Sequence, residues 1–219
     1  AFMDQYHPKT VFSSIDKLGR YAYSNQPPIT KWNLTRFAEC LIPLIDKNED
    51  TAIKIATDVI DNFQNIYEKK WLNMMRDKLG LFSEDKNDRK LIDDLLNWME
   101  KNKIDYTNIF CHLMDIKIDN NTYKDKTFLT WFDEWKKRSQ LNNSSKEKQI
   151  ELMKKNNPIV VPRNHKVEEA LTEANNGSLE GMNKLNDILK NPYSNQEDIA
   201  EYQVPAPTTN EKYQTFCGT

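Results

Sequence analysis

The stretch GRYAYSNQPPITKWNLTRFAECLIPLI, residues 19–45, changes character near its middle and decides the fold class. Its first half sets an Asn-Gln pair and two adjacent prolines among aromatic residues, a composition typical of irregular chain. Its second half places apolar residues at helical spacing, namely Trp32, Leu34, Phe37, Ala38, Leu41, Ile42 and Ile45. We therefore predict an irregular crossing followed by a helix that begins at Trp32 and that Pro43 ends or kinks.

Helical periodicity continues through most of the chain. We predict one long helix over residues 50–78, closed by a cap at Gly80 with Leu81 as its hydrophobic contact. Further helices are predicted from apolar spacing at residues 91–99, 106–113, 128–135, 167–174 and 179–189. The fold class is therefore mainly α.

Two local signals complete this prediction. Ser144 and Glu147 have the spacing of a capping box, which predicts that another helix starts there. The segment PIVVP, residues 158–162, is too short and too tightly bounded by prolines to anchor a sheet. We therefore expect no sheet.

Composition limits the classes of function. The 31 basic and 33 acidic residues give a formal net charge of −2, whereas a dedicated nucleic-acid binder normally has a basic excess. The longest apolar run, residues 40–45, is far shorter than the roughly 18 residues of a membrane span. The first ten residues also lack the ordered basic and apolar regions of a signal peptide. We expect no nucleic-acid partner and no membrane partner.

The cysteines indicate the compartment. Cys40, Cys111 and Cys217 are an odd number without a close pair. This pattern favours a reducing environment over a disulfide framework. We therefore expect a cytoplasmic protein.

Catalytic and metal-binding motifs are weak. His7, His112 and His165 are not spaced as zinc ligands, so we expect no metal site and interpret His112 as a packed core residue. The five glycines do not gather into a phosphate-binding loop, and no nucleophile elbow is present. On its own residues, the chain shows no nucleotide site.

Two charged stretches have structural interpretations that compete with functional ones. SEDKND, residues 83–88, resembles a calcium loop but lacks its central glycine and closing glutamate, so a solvated helix start is expected. WFDEWKKR, residues 131–138, sets aromatics beside basic residues, as a binder of single-stranded nucleic acid does. We expect instead that Trp131, Phe132 and Trp135 form a buried face and that the charges lie on the opposite face.

An ordered set of motifs carries a family resemblance that covers essentially the whole chain. They are AFMDQY (1–6), GRYAYSNQPPITKWNL (19–34), MRDKLGL (75–81), DYTNIF (105–110), NPIVVPRNHKVEEAL (157–171), LKNPY (189–193) and FCGT (216–219). Together they resemble the C-terminal half of the SelO/YdiU family, protein adenylyltransferases with a protein-kinase-like fold. The resemblance implies an activation-segment-like region at 1–33, a helical C-lobe core at 34–141 and a family-specific helical extension and tail at 142–219, in one domain.

The resemblance also implies a function for the complete protein. In the family, the segment that resembles AFMD follows an Asp-Tyr-Gly-Pro stretch that binds metal, so we expect this chain to be a C-terminal fragment. The whole protein would transfer AMP from ATP to Ser, Thr or Tyr hydroxyls of protein substrates, with Mg²⁺ or Mn²⁺. We assign no catalytic residue and no cofactor to this chain alone, expect it to be inactive, and expect its partner to be the missing N-terminal half.

An alternative belongs to another functional class. The chain would then be a stand-alone helical protein-interaction module. If Trp32, Phe37 and Leu41 normally pack against missing segments, the isolated chain should expose an apolar patch, whereas a stand-alone module should cover them.

The family motifs give the candidate site residues, which are Asp4, Gly19, Arg20, Tyr21, Asn25, Gln26, Trp32, Asn33, Arg163 and Asn164. We expect the amides of Asn25 and Gln26 to satisfy buried backbone groups of the crossing, and Arg20 to pair with a carboxylate or to face substrate. Asn164 is expected as an N-cap, and Arg163 as a tie between the extension and the lobe.

Cys217 is the candidate redox residue, because it matches a position where family members carry cysteine or selenocysteine. It is either an inert thiol in a frayed terminus or a redox-responsive one.

Overall fold

The computed structural model describes residues 2–114 and 121–207, and it places ten α-helices within them. Short 3₁₀ turns precede α1, at Tyr23–Asn25, and α6, at Asn121–Lys124. The helices are α1 (Gln26–Ile45), α2 (Glu49–Asp61), α3 (Phe63–Lys78), α4 (Asp88–Asn102), α5 (Tyr106–Leu113), α6 (Lys126–Gln140), α7 (Lys146–Asn156), α8 (Asn164–Asn175), α9 (Glu180–Leu189) and α10 (Ala200–Gln203).

The prediction of a mainly α protein is confirmed. No strand occurs in the described part of the chain; one isolated antiparallel bridge joins Gln5 to Asp105. Backbone bonds flank it, from Tyr6 N to the Ile104 carbonyl (2.8 Å) and from Tyr106 N to the Asp4 carbonyl (2.7 Å). The N-terminal segment is therefore held against the start of α5.

The core forms where the end of α3 meets α4, α5 and α6. On α6, Trp131 donates its indole N–H to the Leu91 carbonyl at 2.8 Å, and Trp135 donates to the Leu79 carbonyl at 2.9 Å. Both tryptophans are buried, as predicted, and Phe132 is half-buried against them. A buried indole needs such a partner, so each bond also fixes the position of α6.

Buried side chains from all three predicted segments join one cluster. Met3, Leu95, Met153, Leu185 and Tyr202 all belong to it. His112 is half-buried and packs its ring on buried Tyr123 at 4.2 Å between centroids, so it lies against this core and is not part of its buried set. The boundaries of the three segments stay a prediction.

The first helix begins earlier than predicted. It starts at Gln26 and not at Trp32, because Pro27 and Pro28 occupy its first turn, where a missing N–H costs nothing. Pro43 lies in the last turn, and the helix ends two residues later at Ile45. The predicted helix over 50–78 is two helices separated at Asn62, a residue type whose side chain competes for backbone bonds.

Of the three predicted helix caps, one is confirmed and two lie at a different residue. Gly80 has φ +69° and closes α3 with bonds from Gly80 N to Asp77 O and from Leu81 N to Arg76 O, the predicted glycine cap. The N-cap of α7 is Ser145 and not Ser144. The N-cap position of α8 is Arg163, so Asn164 is the first helical residue and the predicted Asn164 cap is wrong.

Two charges expected on the surface are buried. Asp88 is fully buried and accepts from Arg76 Nε at 2.6 Å and from Arg138 Nε at 2.7 Å, so the expected solvated helix start is wrong at this residue. Arg138 likewise leaves the charged outer face of α6. Burial alone would raise the pKa of Asp88, but hydrogen bonds from Arg138, the Asp85 N–H and Arg76 together lower it.

Within the described ranges, no helix is both long enough and apolar enough to cross a bilayer.

Candidate functional site

Arg163 is the centre of a buried polar cluster that joins residues of three family motifs. Its side chain is only 1 % exposed. Nη1 donates to Asp4 Oδ1 at 2.6 Å and to Asp105 Oδ2 at 2.7 Å. Nη2 donates to Asn108 Oδ1 at 3.1 Å and to the Gln203 carbonyl at 2.8 Å. One guanidinium thus joins the N-terminal segment, α5 and the C-terminal part, which is the tie that the sequence predicted.

Asp105 has two functions in this cluster. It is the N-cap of α5, accepting from the Thr107 and Asn108 backbone N–H groups at 3.0 and 2.8 Å, and it also pairs with Arg163. Burial alone would lower the pKa of Arg163, but its bonds to Asp105 raise it, so the guanidinium stays charged. Because its Nη groups are already engaged, the cluster is a structural clamp and not an open anion site.

The crossing is closed by polar side chains at Gly19, whose φ of +67° suits glycine. Asn25 Nδ2 donates to the Gly19 carbonyl at 2.7 Å, so the predicted bond to the backbone of the crossing forms, but it is exposed and not buried. Both carboxylate oxygens of Asp16 accept backbone bonds at 2.8 Å, from Arg20 N and Tyr21 N. Sequence reasoning missed Asp16, although an acidic residue three positions before a glycine is a usable turn signal.

The expectation for Gln26 is wrong, and one of the two alternatives for Arg20 is not observed. Gln26 makes no side-chain hydrogen bond within the described residues and instead lines the cavity described below. Arg20 pairs with no carboxylate there; its guanidinium lies 4.7 Å from the ring centroid of Trp32 and 5.8 Å from that of Tyr21. Whether Arg20 faces substrate stays a prediction.

The ten candidate residues therefore form separate groups. Asp4 meets Arg163, Gly19 meets Asn25, and Arg20 meets Tyr21 and Trp32. The remaining three are apart: Gln26 at the cavity, Asn33 on the exposed surface of α1, and Asn164 in the first turn of α8.

A cavity of about 340 Å³ lies beside the Arg163 cluster. Its size is at the lower end of small-molecule sites. Aromatic and aliphatic side chains form most of its wall, with a few polar groups among them. The lining residues are Phe2, Met3, Phe12, Tyr23, Gln26, Lys78, Tyr106, Thr107, Phe110, Asn157, Pro158 and Val161.

Two of these polar groups are incompletely satisfied. Lys78 Nζ lies 4.2 Å from the ring centroid of Phe110 and donates to the Asn156 carbonyl at 3.3 Å, with no carboxylate partner in the described part of the chain. Burial lowers the pKa of Lys78 to about 8. Asn157 donates to two carbonyls through Nδ2, whereas its buried Oδ1 has no donor. The wall therefore offers both a donor and an acceptor.

Lys78, Asp105 and Asn108 lie inside the quoted motifs MRDKLGL and DYTNIF, yet sequence reasoning did not single them out. Two of the three cysteines lie in the described residues. Cys40 is exposed on α1, whereas Cys111 is buried, and burial raises the pKa of its thiol to about 12. Cys217 lies outside the described residues. Residues 2–114 and 121–207 contain no group of three His, Cys, Asp or Glu side chains that could hold a metal ion.

Comparison with known proteins identifies the family. The family model described as "Protein adenylyltransferase SelO" matches residues 1–190. The chain belongs to the SelO family. It is 60 % identical over 220 residues to the "Protein nucleotidyltransferase YdiU" of Pelagibacter ubique, covering all of this chain and 46 % of that relative.

Two further relatives support the same family assignment. The proteins of the same name from Bacillus cereus and Nitrosococcus oceani are 49 % and 44 % identical over 221 residues, covering all of this chain and 45 % of each relative. The resemblance drawn from the motifs is therefore confirmed. The chain spans less than half the length of these curated relatives.

Proposed function

We propose that this chain is the helical C-terminal part of a protein nucleotidyltransferase with a kinase-like fold. The whole protein transfers AMP from ATP to Ser, Thr or Tyr hydroxyls of protein substrates. The observation that carries the proposal is the identity of 60 % across the entire chain to a protein named as a nucleotidyltransferase. Residues 1–33 correspond to an activation-segment-like region, 34–141 to the C-lobe core and 142–219 to the extension.

ATP and its Mg²⁺ or Mn²⁺ belong, in this proposal, to the part of the protein outside the matched span. The described residues do not fit a divalent metal site, because no three suitable ligands converge. In this proposal the chain alone binds no cofactor and is inactive.

The contribution of this chain is positional. The Arg163 clamp holds Asp4 and hence the N-terminal segment on the lobe. Segments held in one geometry lower the cost of aligning reacting groups. Asp105 and Asn108 are positioning residues in the same clamp.

The test compares the 219-residue chain with the intact relative from Pelagibacter ubique. Each is incubated with α-labelled ATP, Mn²⁺ and a mixture of candidate substrate proteins, and label in protein is measured. Calorimetric titration with ATP and Mn²⁺ runs in parallel. We expect binding and labelling with the intact relative only; tight, metal-dependent ATP binding by the short chain would contradict the proposal.

A second candidate is the stand-alone helical interaction module. The exposure of Trp32 and Phe37 on α1 favours the need for a covering partner over a self-sufficient surface. Sedimentation of the chain decides between them, because a stand-alone module is monodisperse at high concentration whereas an uncovered apolar surface self-associates.

A further inference from the structure

Helix α1 is apolar over a wide arc and yet has no buried residue among its twenty. Leu34, Phe37, Leu41 and Leu44 recur at intervals of three and four and form an outer stripe along it. Phe37 is 60 % exposed and Leu44 is 82 % exposed. A helix with this much apolar circumference normally lies inside a fold.

Helix α2 repeats the anomaly. Only Ala52 is buried, and Val59 is 66 % exposed. Between α1 and α2 lies an open groove of about 940 Å³. Its floor is apolar, formed by Ala38, Ile42, Ile53, Ala56 and Ile60.

The outer stripe and this groove together are called the α1–α2 surface. Monomeric soluble proteins rarely expose a contiguous apolar patch of more than a few hundred Å². The number of exposed apolar side chains on this surface is unusual for such a protein. Large side chains that are more than one-third exposed on α1, α2 and the start of α3 are Trp32, Leu34, Phe37, Leu44, Ile53, Ile55, Val59 and Ile66. Something must cover them in the working protein.

Two observations point to the occupant. The stripe and the groove face different directions, because neighbouring positions such as Phe37 and Ala38 are about 100° apart around a helix. A flat contact with a second copy covers one face only, whereas polypeptide folded around α1 covers both. The matched relatives supply such polypeptide, since this chain spans only 46 % of the Pelagibacter ubique protein.

We propose that the α1–α2 surface is the packing site for the N-terminal half of the longer family members, which makes α1 an interior helix of the whole protein. The inference rests on the proposed function only because the proposed function names the N-terminal half as the partner of this chain. Charged side chains of both signs also line the groove. Lys31 and Asp61 already pair across it at 3.2 Å.

The experiment measures accessibility and needs no enzymatic activity. Two proteins are compared: the 219-residue chain, and the same chain fused behind the part of the Pelagibacter ubique relative that lies outside the matched span. Both carry Cys40→Ser and Cys217→Ser, which leaves buried Cys111 as an unreactive reference. A reporter thiol is introduced by Leu44→Cys, and by Leu171→Cys on α8 as an exposed control outside the α1–α2 surface. The rate of maleimide labelling is followed by mass spectrometry.

We expect both reporters to react rapidly in the short chain. In the fusion, labelling through Leu44→Cys should slow at least tenfold, while labelling through Leu171→Cys should keep its rate. An unchanged rate at position 44 in a fusion whose α-helical content and melting transition show a folded protein would overturn the proposal. Because the uncovered surface of the short chain is expected to self-associate, both rates are measured at a dilution at which sedimentation shows the short chain to be monomeric.

The two proposals can fail separately. A fusion that protects position 44 but transfers no AMP leaves the packing site standing and counts against the proposed function. A fusion that transfers AMP without protecting position 44 supports the proposed function and counts against the packing site.

Discussion

Lys78 is a buried ammonium group that no carboxylate neutralises in the described part of the chain. It lies on the ring of Phe110 and beside the cavity. The lysine keeps its charge at neutral pH in spite of its burial, since its pKa of about 8 is still above 7. The folded protein therefore carries a free-energy cost at this residue.

Replacing this lysine should stabilise the chain at neutral pH. Its pKa falls from an ordinary value of 10.5 to about 8, so Lys78→Met should raise the free energy of unfolding by about 1–3 kcal/mol at pH 7. Between pH 8 and 10.5 the unfolded parent binds more protons than the folded one, so the parent gains stability as pH rises and the difference shrinks. Urea unfolding at a series of pH values checks this, with exposed Lys86→Met as control. A difference that stays constant over that range would contradict it.

At the level of secondary-structure elements, Asp88 joins the helices α3, α4 and α6. It begins α4 and receives Arg76 from α3 and Arg138 from α6. An ion pair buried in this way contributes little when intact, but removing one partner is costly because a charge is left uncompensated.

Asp88→Asn should therefore cost about 3–5 kcal/mol of unfolding free energy at pH 7. Because the pKa of Asp88 is lower in the folded state, its contribution is present above about pH 4 and is lost as the pH falls through the folded-state pKa. The parent and the variant should thus converge in acid. Asp94→Asn, in an exposed pair with Lys90, should leave the urea midpoint nearly unchanged at every pH. Parallel acid profiles for parent and Asp88→Asn would argue against the prediction.

The elements also show which parts of the fold are local enough to predict. Apolar spacing located nearly every helix, because packing one face requires residues three and four apart. The start of α1 was missed because Pro27 and Pro28 suit either a turn or a first helical turn. In the sequence, the break between α2 and α3 is marked by no stronger signal than the single polar residue Asn62.

At the scale of the whole molecule, the polar clusters were the hardest features to predict. Arg138 lies 50 positions from Asp88, and Arg163 lies 58 from Asp105. No local period encodes such pairs, so sequence reasoning placed Asp88 and Arg138 at the surface. The tie through Arg163 was found only because a family motif marked it, and its partners Asp105 and Asn108 were not.

The Arg163 clamp joins residues 159 positions apart, so its removal should loosen the ends of the chain together. Arg163→Met leaves Asp4 and Asp105 facing each other without a cation, and we expect a loss of about 3–5 kcal/mol of unfolding free energy. Amide exchange at Tyr6 and Tyr106, whose N–H groups bond across the N-terminal segment, should accelerate at least tenfold.

Arg163→Lys separates charge from geometry, because an ammonium group cannot reproduce the forked contacts to four partners. It should restore part of the stability and leave the exchange at Tyr6 and Tyr106 faster than in the parent. Asp4→Ala removes the acceptor of the Arg163 bond, together with the longer bond that Asp4 Oδ2 accepts from Ala206 N at 3.3 Å, so it should accelerate exchange in the N-terminal segment while α5 keeps its Asp105 cap. If Arg163→Met unfolds at the parent's urea concentration with parental exchange at both amides, the clamp does not hold the N-terminal segment against the start of α5.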